Sequence, residues 1–218
     1  LLSNNLLFCS KFLILLTLVE VRMPSTLDAL RLQVIEDTID REGGPKYTNR
    51  ADDRGGPTRW GMTVKAAADV GYTGPMETCP KSVAVAFYLK LWNRLKIDEV
   101  MKRSTALGLY LYDFGVVSGS GNAVRELQEL INVLNVKETL FPDVKVDGGI
   151  GKEVLTALDS YAKGASMDVL ASSYNAMRVA FCVELAKKDK SQESNVRGWL
   201  NRIHAVGEKT YGSSGISK

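Results

Sequence analysis

The sequence predicts a mainly α protein with one small β element after its first core helix. Apolar residues recur at helical spacing through most of the chain. A single short segment, Pro45 to Pro57, carries Gly, Pro, Asn and Asp at turn-forming density. No internal repeat or low-complexity tract interrupts this pattern.

From Leu27 the apolar positions Leu27, Leu30, Val34, Ile35 and Ile39 fall on one helical face, with Ser25 or Thr26 as N-cap and Gly43-Gly44 as the stop. Within the turn-rich segment or just after it, YTN or RWGMT supplies two short strands of a hairpin. Helical patterns then follow at Thr63–Val70, Pro80–Leu95, Ile97–Val117, Asn122–Leu134, Gly151–Tyr161, Ser166–Lys187 and Asn195–Glu208. Val124, Leu127, Leu130, Ile131 and Leu134 form the core face of one. Leu170, Tyr174, Met177, Phe181 and Leu185 form that of another. The Gly/Ser-rich VVSGSGN at Val116–Asn122 is the candidate linker, Asp147-Gly148 reads as a turn, and the GSSGISK tail is expected to fray.

At 218 residues, 45% hydrophobic and 24% charged, the chain is long enough for one well-buried domain or two small ones. A net charge of +3 is too weak for a nucleic-acid footprint, so no nucleic-acid partner is expected. Cys9, Cys79 and Cys182 lack CxxC spacing and read as buried thiols. His204 is the single histidine and HExxH is absent, which argues against zinc hydrolysis; neither metal nor cofactor is called for. A Cys-His nucleophile built from Cys79 or Cys182 with His204 has no recognisable motif behind it. The apolar run Phe12–Val19 is shorter than the roughly 20 residues a spanning helix needs. Residues 1–22 read either as an export signal, with transient membrane contact, or as translated sequence upstream of a start at Met23.

Glu42 falls at a helix C-terminus, where the macrodipole disfavours a carboxylate and should raise its pKa. Asp53 lies in a polar turn, where it should stay ionised. Two carboxyls in environments that separate them in this way suit the acid and base of glycosidic-bond hydrolysis, with Thr58 or Thr63 holding a water. Spacing alone leaves open the plainer reading, a surface glutamate beside Asx-type turn formers Asp52-Asp53.

The stretch REGGPKYTNRADDRGGPTRWGMT resembles the EGGYxNDPxDPGGPTxYGIT signature of glycoside hydrolase family 108, phage and bacterial N-acetylmuramidases. LYDFGVVSGSGNAVRELQELINV is similar to that family's FDxxVNSG…A…LQ block. VDGGIGKEVLTAL and NVRGWLNRI resemble the DGxIGxxTxxAL and GWxNR pieces of its peptidoglycan-binding region. The likeness runs from about residue 30 to 206.

This resemblance implies a lysozyme-like helical fold and a catalytic region over 23–116. A helical peptidoglycan-binding region over 117–210, packed against the first, and a tail at 211–218 complete the division. It places the catalytic glutamate on Glu42, the loop aspartate on Asp53 and the Pro-Thr threonine on Thr58, with Thr63 as second candidate. Tyr47 and Trp60 are candidates for stacking on sugar rings, and Asp113 for lining the cleft. The chain departs from the pattern at Arg41, which replaces a His, at the Pro45-Lys46 insertion, and at Arg54, Val117 and Val154. A charge at Arg41 that approached Glu42 would weaken a general acid.

Two functions follow from the resemblance. One is a monomeric muramidase cleaving the β-1,4 bond between N-acetylmuramic acid and N-acetylglucosamine in peptidoglycan glycan strands, made in the cytoplasm and acting in the bacterial wall or periplasm. The other is a peptidoglycan- or chitin-binding protein without turnover.

Overall fold

The computed structural model of the chain describes residues 26–49 and 56–211. Expectations for residues 1–22, Ser25, Asp52, Asp53, Arg54 and the tail from 212 lie outside the described residues. Helix α1 spans Thr26–Arg41 and buries Ile35 and Ile39 completely, with Leu27, Leu30 and Val34 half-buried against the same core. Its end is a Schellman motif: the Gly43 amide donates to Asp40 O at 3.3 Å and the Gly44 amide to Ile39 O at 3.0 Å. Both glycines have positive φ, at 108° and 55°, a conformation that side-chain-bearing residues resist. Glu42 is therefore the C-cap residue, its own amide still bonded to Thr38 O at 2.9 Å.

The β element is a hairpin of β1 (Thr58–Arg59) and β2 (Met62–Thr63), antiparallel, with Arg59 opposite Met62. Trp60 and Gly61 make the two-residue turn, with φ of 57° and 73°, the primed geometry that matches hairpin twist. A bridge from Thr48 to Thr58 adds a third short segment. Trp60 donates its amide to Gly44 O at 3.1 Å, which fastens the turn to the end of α1.

Helices α2 (Val64–Ala68) and α3 (Lys81–Arg94) follow, and α3 buries Ala84, Tyr88 and Trp92 along one i, i+4 stripe. The helix expected over Ile97–Val117 is in fact two, α4 (Ile97–Met101) and α5 (Thr105–Ser118). Ser104 makes the break: its hydroxyl accepts the Leu107 amide at 3.2 Å and caps α5. Asp98 joins three elements, accepting Trp92 Nε1 at 2.7 Å and Arg31 Nη1 at 2.7 Å.

Helix α5 is the central element, buried from Leu107 to Gly115 except at Leu109, and it packs against α3, α4, α6, α8 and α9. A Cβ on Gly115 would lie 2.5 Å from Leu95 Cδ1, so the glycine is what lets α5 approach the end of α3. The expected linker Val116–Asn122 is instead almost wholly helical. Gly119, with φ of 85°, is the single non-helical residue between α5 and α6 (Ser120–Leu134).

Helices α7 (Lys152–Gly164), α8 (Met167–Lys188) and α9 (Glu193–Tyr211) complete the mainly α, lysozyme-like fold. The core face of α6 is as expected, although Leu134 is only half-buried. That of α8 is rotated: Leu170, Ala171, Tyr174, Arg178, Cys182 and Ala186 are buried, Met177 and Phe181 are half-buried, and Leu185 is exposed. A buried arginine sits where sequence reading places only apolar residues. Asp147-Gly148 forms its turn, with Asp147 Oδ1 accepting Gly149 N at 2.8 Å and Gln128 Nε2 at 3.1 Å. Among the described residues no helix is long and apolar enough to cross a membrane.

Candidate active site

Glu42 stands where α1 ends against the hairpin turn, with 26% of its side chain exposed. The turn closes tightly on it. A Cβ on Gly61 would overlap the Glu42 side chain and would lie 2.6 Å from the Tyr88 hydroxyl, so only glycine fits. Tyr88 donates to Trp60 O at 3.3 Å. Burial pushes the Tyr88 hydroxyl pKa well up, and the charge of Glu42 adds to this.

A cation does reach Glu42, but it is Arg202 from α9, whose Nη1 donates to Glu42 Oε1. Arg41, the neighbour in sequence, turns the other way: its Nε donates to Asp37 O at 3.1 Å and its Nη1 lies 3.7 Å from Asp113 Oδ1. The negative end of α1 is thus faced by the Arg202 guanidinium, as helix-end electrostatics favour.

Behind Arg202 lies a buried network. Arg202 Nε donates to Asp113 Oδ1 at 2.8 Å, and Arg178 Nη2 donates to Asp113 Oδ2. Asp113 is 4% exposed and Arg178 1%. Asn175 Oδ1 accepts Arg178 Nη1 at 2.8 Å, and the guanidinium stands over the rings of Tyr110 and Phe114. Burial lowers the Arg178 pKa from its ordinary value, against the pull of Asp113. Burial opposes the charge on Arg202 as well, yet Asp113 and Glu42 outweigh it and its pKa is raised.

The other expected site residues divide. Thr58 donates its hydroxyl to Gly56 O at 3.0 Å, and Thr63 caps α2, accepting the Ala66 amide at 3.3 Å. Trp60 gives its indole N–H to Cys79 O at 2.8 Å and lies under the Arg59 guanidinium, 5.4 Å from the ring centre. Tyr47 is half-buried, and a hydrogen bond to Glu77 raises its pKa. Asp53 lies outside the described residues. Cys79 and Cys182 are buried, while His204 is exposed on α9 and pairs with Glu208 at 3.4 Å. No group of acidic, His or Cys residues placed to hold a metal occurs among the described residues.

A cavity of about 680 Å³ runs beside the network, between α1, the start of α5 and the start of α8. Arg41 and Asp113 line it together with Leu30, Val34, Leu109 and Met167; Glu42 does not. On the α1 side Leu30 and Val34 alternate with the polar Gln33, Asp37, Thr38 and Arg41.

Arg202, Arg178 and Tyr88 are the site residues that sequence reading missed. Arg178 follows Tyr174 and precedes Cys182 by four residues each, and Arg202 follows Trp199 by three. For Arg178 the signal is an arginine inside an apolar helical stripe, since such residues are almost never buried without a partner.

Residues 35–119 match the family described as Glycosyl hydrolase 108, and residues 122–204 match the Predicted Peptidoglycan domain. No curated protein matches the chain. Among solved structures, that of Brucella abortus SagA is similar, with a TM-score of 0.64 and 22% identity over 87% of this chain and 98% of that one. Identity at that level carries the fold alone. A glycosyl hydrolase 108 match over residues 35–119, followed by a predicted peptidoglycan domain match over residues 122–204, supports a glycoside hydrolase that acts on peptidoglycan.

Proposed function

We propose that the chain is an N-acetylmuramidase, cleaving the β-1,4 bond between N-acetylmuramic acid and N-acetylglucosamine, with Glu42 as general acid. The observation that carries this reading is the setting of Glu42. It caps α1 at the hairpin turn, inside the matched glycosyl hydrolase region, with its side chain partly open to solvent. The proton passes from Glu42 to the bridging oxygen as the sugar carbon–oxygen bond breaks.

Asp53 is assigned the second carboxylate, which meets the positive charge developing on the sugar or activates water. Thr58 and Thr63 are the candidates for holding that water. Thr58 keeps its lone pairs available and Thr63 keeps its hydroxyl hydrogen. Tyr47 and Trp60, which follow Glu42 closely in sequence, are assigned to the sugar rings, where Trp60 has its face rather than its N–H to offer. Asp113 is assigned to the network that supports Arg202, because both of its oxygens are engaged there. Residues 23–116 supply the acid and residues 117–210 the grip on peptidoglycan, and the place of action is the bacterial wall.

Clearing of a peptidoglycan suspension tests the assignment. Glu42→Gln is expected to clear it at least about a hundredfold more slowly than wild type, the usual span of a lost general acid. Equal clearing rates would remove Glu42 from the role. Wild-type protein that sediments with sacculi while releasing no reducing ends would favour a binding protein without turnover.

A further inference from the structure

We propose that Arg202, contributed by the peptidoglycan domain, is a positioning residue of the catalytic site that holds Glu42 by one carboxyl oxygen and leaves the other to carry the proton. The proposal rests on Glu42 being the general acid. Its motive is that one guanidinium is engaged at both ends: Nη1 donates to Glu42 Oε1 and Nε to Asp113 Oδ1 at 2.8 Å. Asp113 is fixed in turn by Arg178, which is anchored on α8 by Asn175. Four helices, α1, α5, α8 and α9, thus fix the orientation of one carboxyl group.

The chemistry favours this geometry over a simple surface ion pair. A protonated carboxyl has one O–H and one carbonyl oxygen, and a guanidinium only donates, so Arg202 selects Oε1 as the carbonyl and assigns the proton to Oε2. When that proton moves to the bridging oxygen and the sugar–oxygen bond breaks, a full negative charge appears on Glu42. Arg202 is already aimed at it, an interaction stronger in the transition state than in the ground state. Asp113, bound to the same guanidinium, takes up part of its charge beforehand. Arg178 also satisfies Asp113 independently, so the fold does not need Arg202 to reach as far as Glu42.

The test is steady-state kinetics of the full chain on solubilised peptidoglycan, with melting temperature and far-UV circular dichroism as controls. Arg202→Met is expected to lower kcat by about 10²–10³, as loss of a preorganised donor does, with KM within about threefold. Arg202→Lys keeps the charge but cannot hold Glu42 and Asp113 at once, and its kcat is expected to fall by only about tenfold. In a Glu42→Gln background Arg202→Met is expected to add less than about a threefold loss, because residues acting as a unit are not additive. An Arg202→Met kcat within about threefold of wild type, or a rise in KM alone, overturns the assignment. Should Arg202→Met fail to fold, Arg202→Lys decides by itself: a reduced kcat at wild-type melting temperature supports the role, and an unchanged kcat overturns it. Full activity in Glu42→Gln would instead bring down the general-acid reading. An inactive Glu42→Gln beside a fully active Arg202→Met brings down the positioning role alone.

Discussion

Arg202 Nη1 donates to Glu42 Oε1 across 160 positions of sequence, so the end of the first core helix is completed by the last. Residues matched to the peptidoglycan domain therefore touch the candidate acid of the glycosyl hydrolase region. Substitutions on α9 should act on hydrolysis as well as on binding to the wall.

The Asp113–Arg178 pair sets the first stability prediction. With 5% and 1% of their side chains exposed, neither partner can turn to water when the other is removed. Asp113→Asn leaves a buried guanidinium without its counter-charge and should destabilise the fold by about 3–5 kcal/mol. Urea unfolding measures this, and an unchanged midpoint would contradict it.

Gly61 supplies the second. Alanine there must adopt φ near 73° and occupy space already held by Glu42 and Tyr88. Gly61→Ala should cost about 1–3 kcal/mol, as overpacking of a filled site does. Reducing-end release should fall by more than the loss of folded protein explains, because the displaced group is Glu42. A variant with normal release and normal thermal stability would show that the turn does not fix Glu42.

A third concerns pH. Arg103 donates from Nε and Nη2 to both oxygens of Asp159, at 2.7 and 2.6 Å, and so links the turn between α4 and α5 to α7. This hydrogen bonding holds the Asp159 carboxyl below its ordinary range. A carboxyl depressed on folding adds stability that is present above its unfolded pKa of about 3.9 and lost as pH falls through the folded value. Because Asp159 is half exposed, the contribution at neutral pH should be only about 0.2–1 kcal/mol. The melting-temperature gap between wild type and Asp159→Asn should close in acid; a gap that persists or widens there would contradict the pairing.

Thiol chemistry gives a fourth. Burial raises the pKa of both Cys79 and Cys182, which keeps them protonated and poorly nucleophilic. In a Cys9→Ser background, an alkylating reagent should leave lytic activity unchanged. Inactivation under native conditions would revive a cysteine nucleophile.

Local signals in the sequence located much of this architecture. Helix α1 and its stop at Gly43-Gly44 were legible because periodicity and a glycine C-cap coincide there, and a small hairpin after it was legible too, although its turn at Trp60-Gly61 falls inside RWGMT, a stretch that reads as strand. The division between α4 and α5 was not, since the apolar pattern continues across Met101 to Leu107 and only the capping hydroxyl of Ser104 marks the break. The face of α8 was misplaced because Arg178, buried by its pairing with Asp113, was not counted as core. Arg202 was out of reach for a different reason. Its meaning depends on a contact between chain ends, and spacing carries no information about which helix α9 will lie against.

Proton donation by Glu42 is tested most directly by mass spectrometry of fragments released from purified peptidoglycan by wild type and Glu42→Gln. Wild type should yield glycan fragments with muramic acid at the reducing end, and Glu42→Gln at least about a hundredfold fewer in the same time. Equal yields from the two proteins, or free peptides in place of muramic-acid ends, would contradict it.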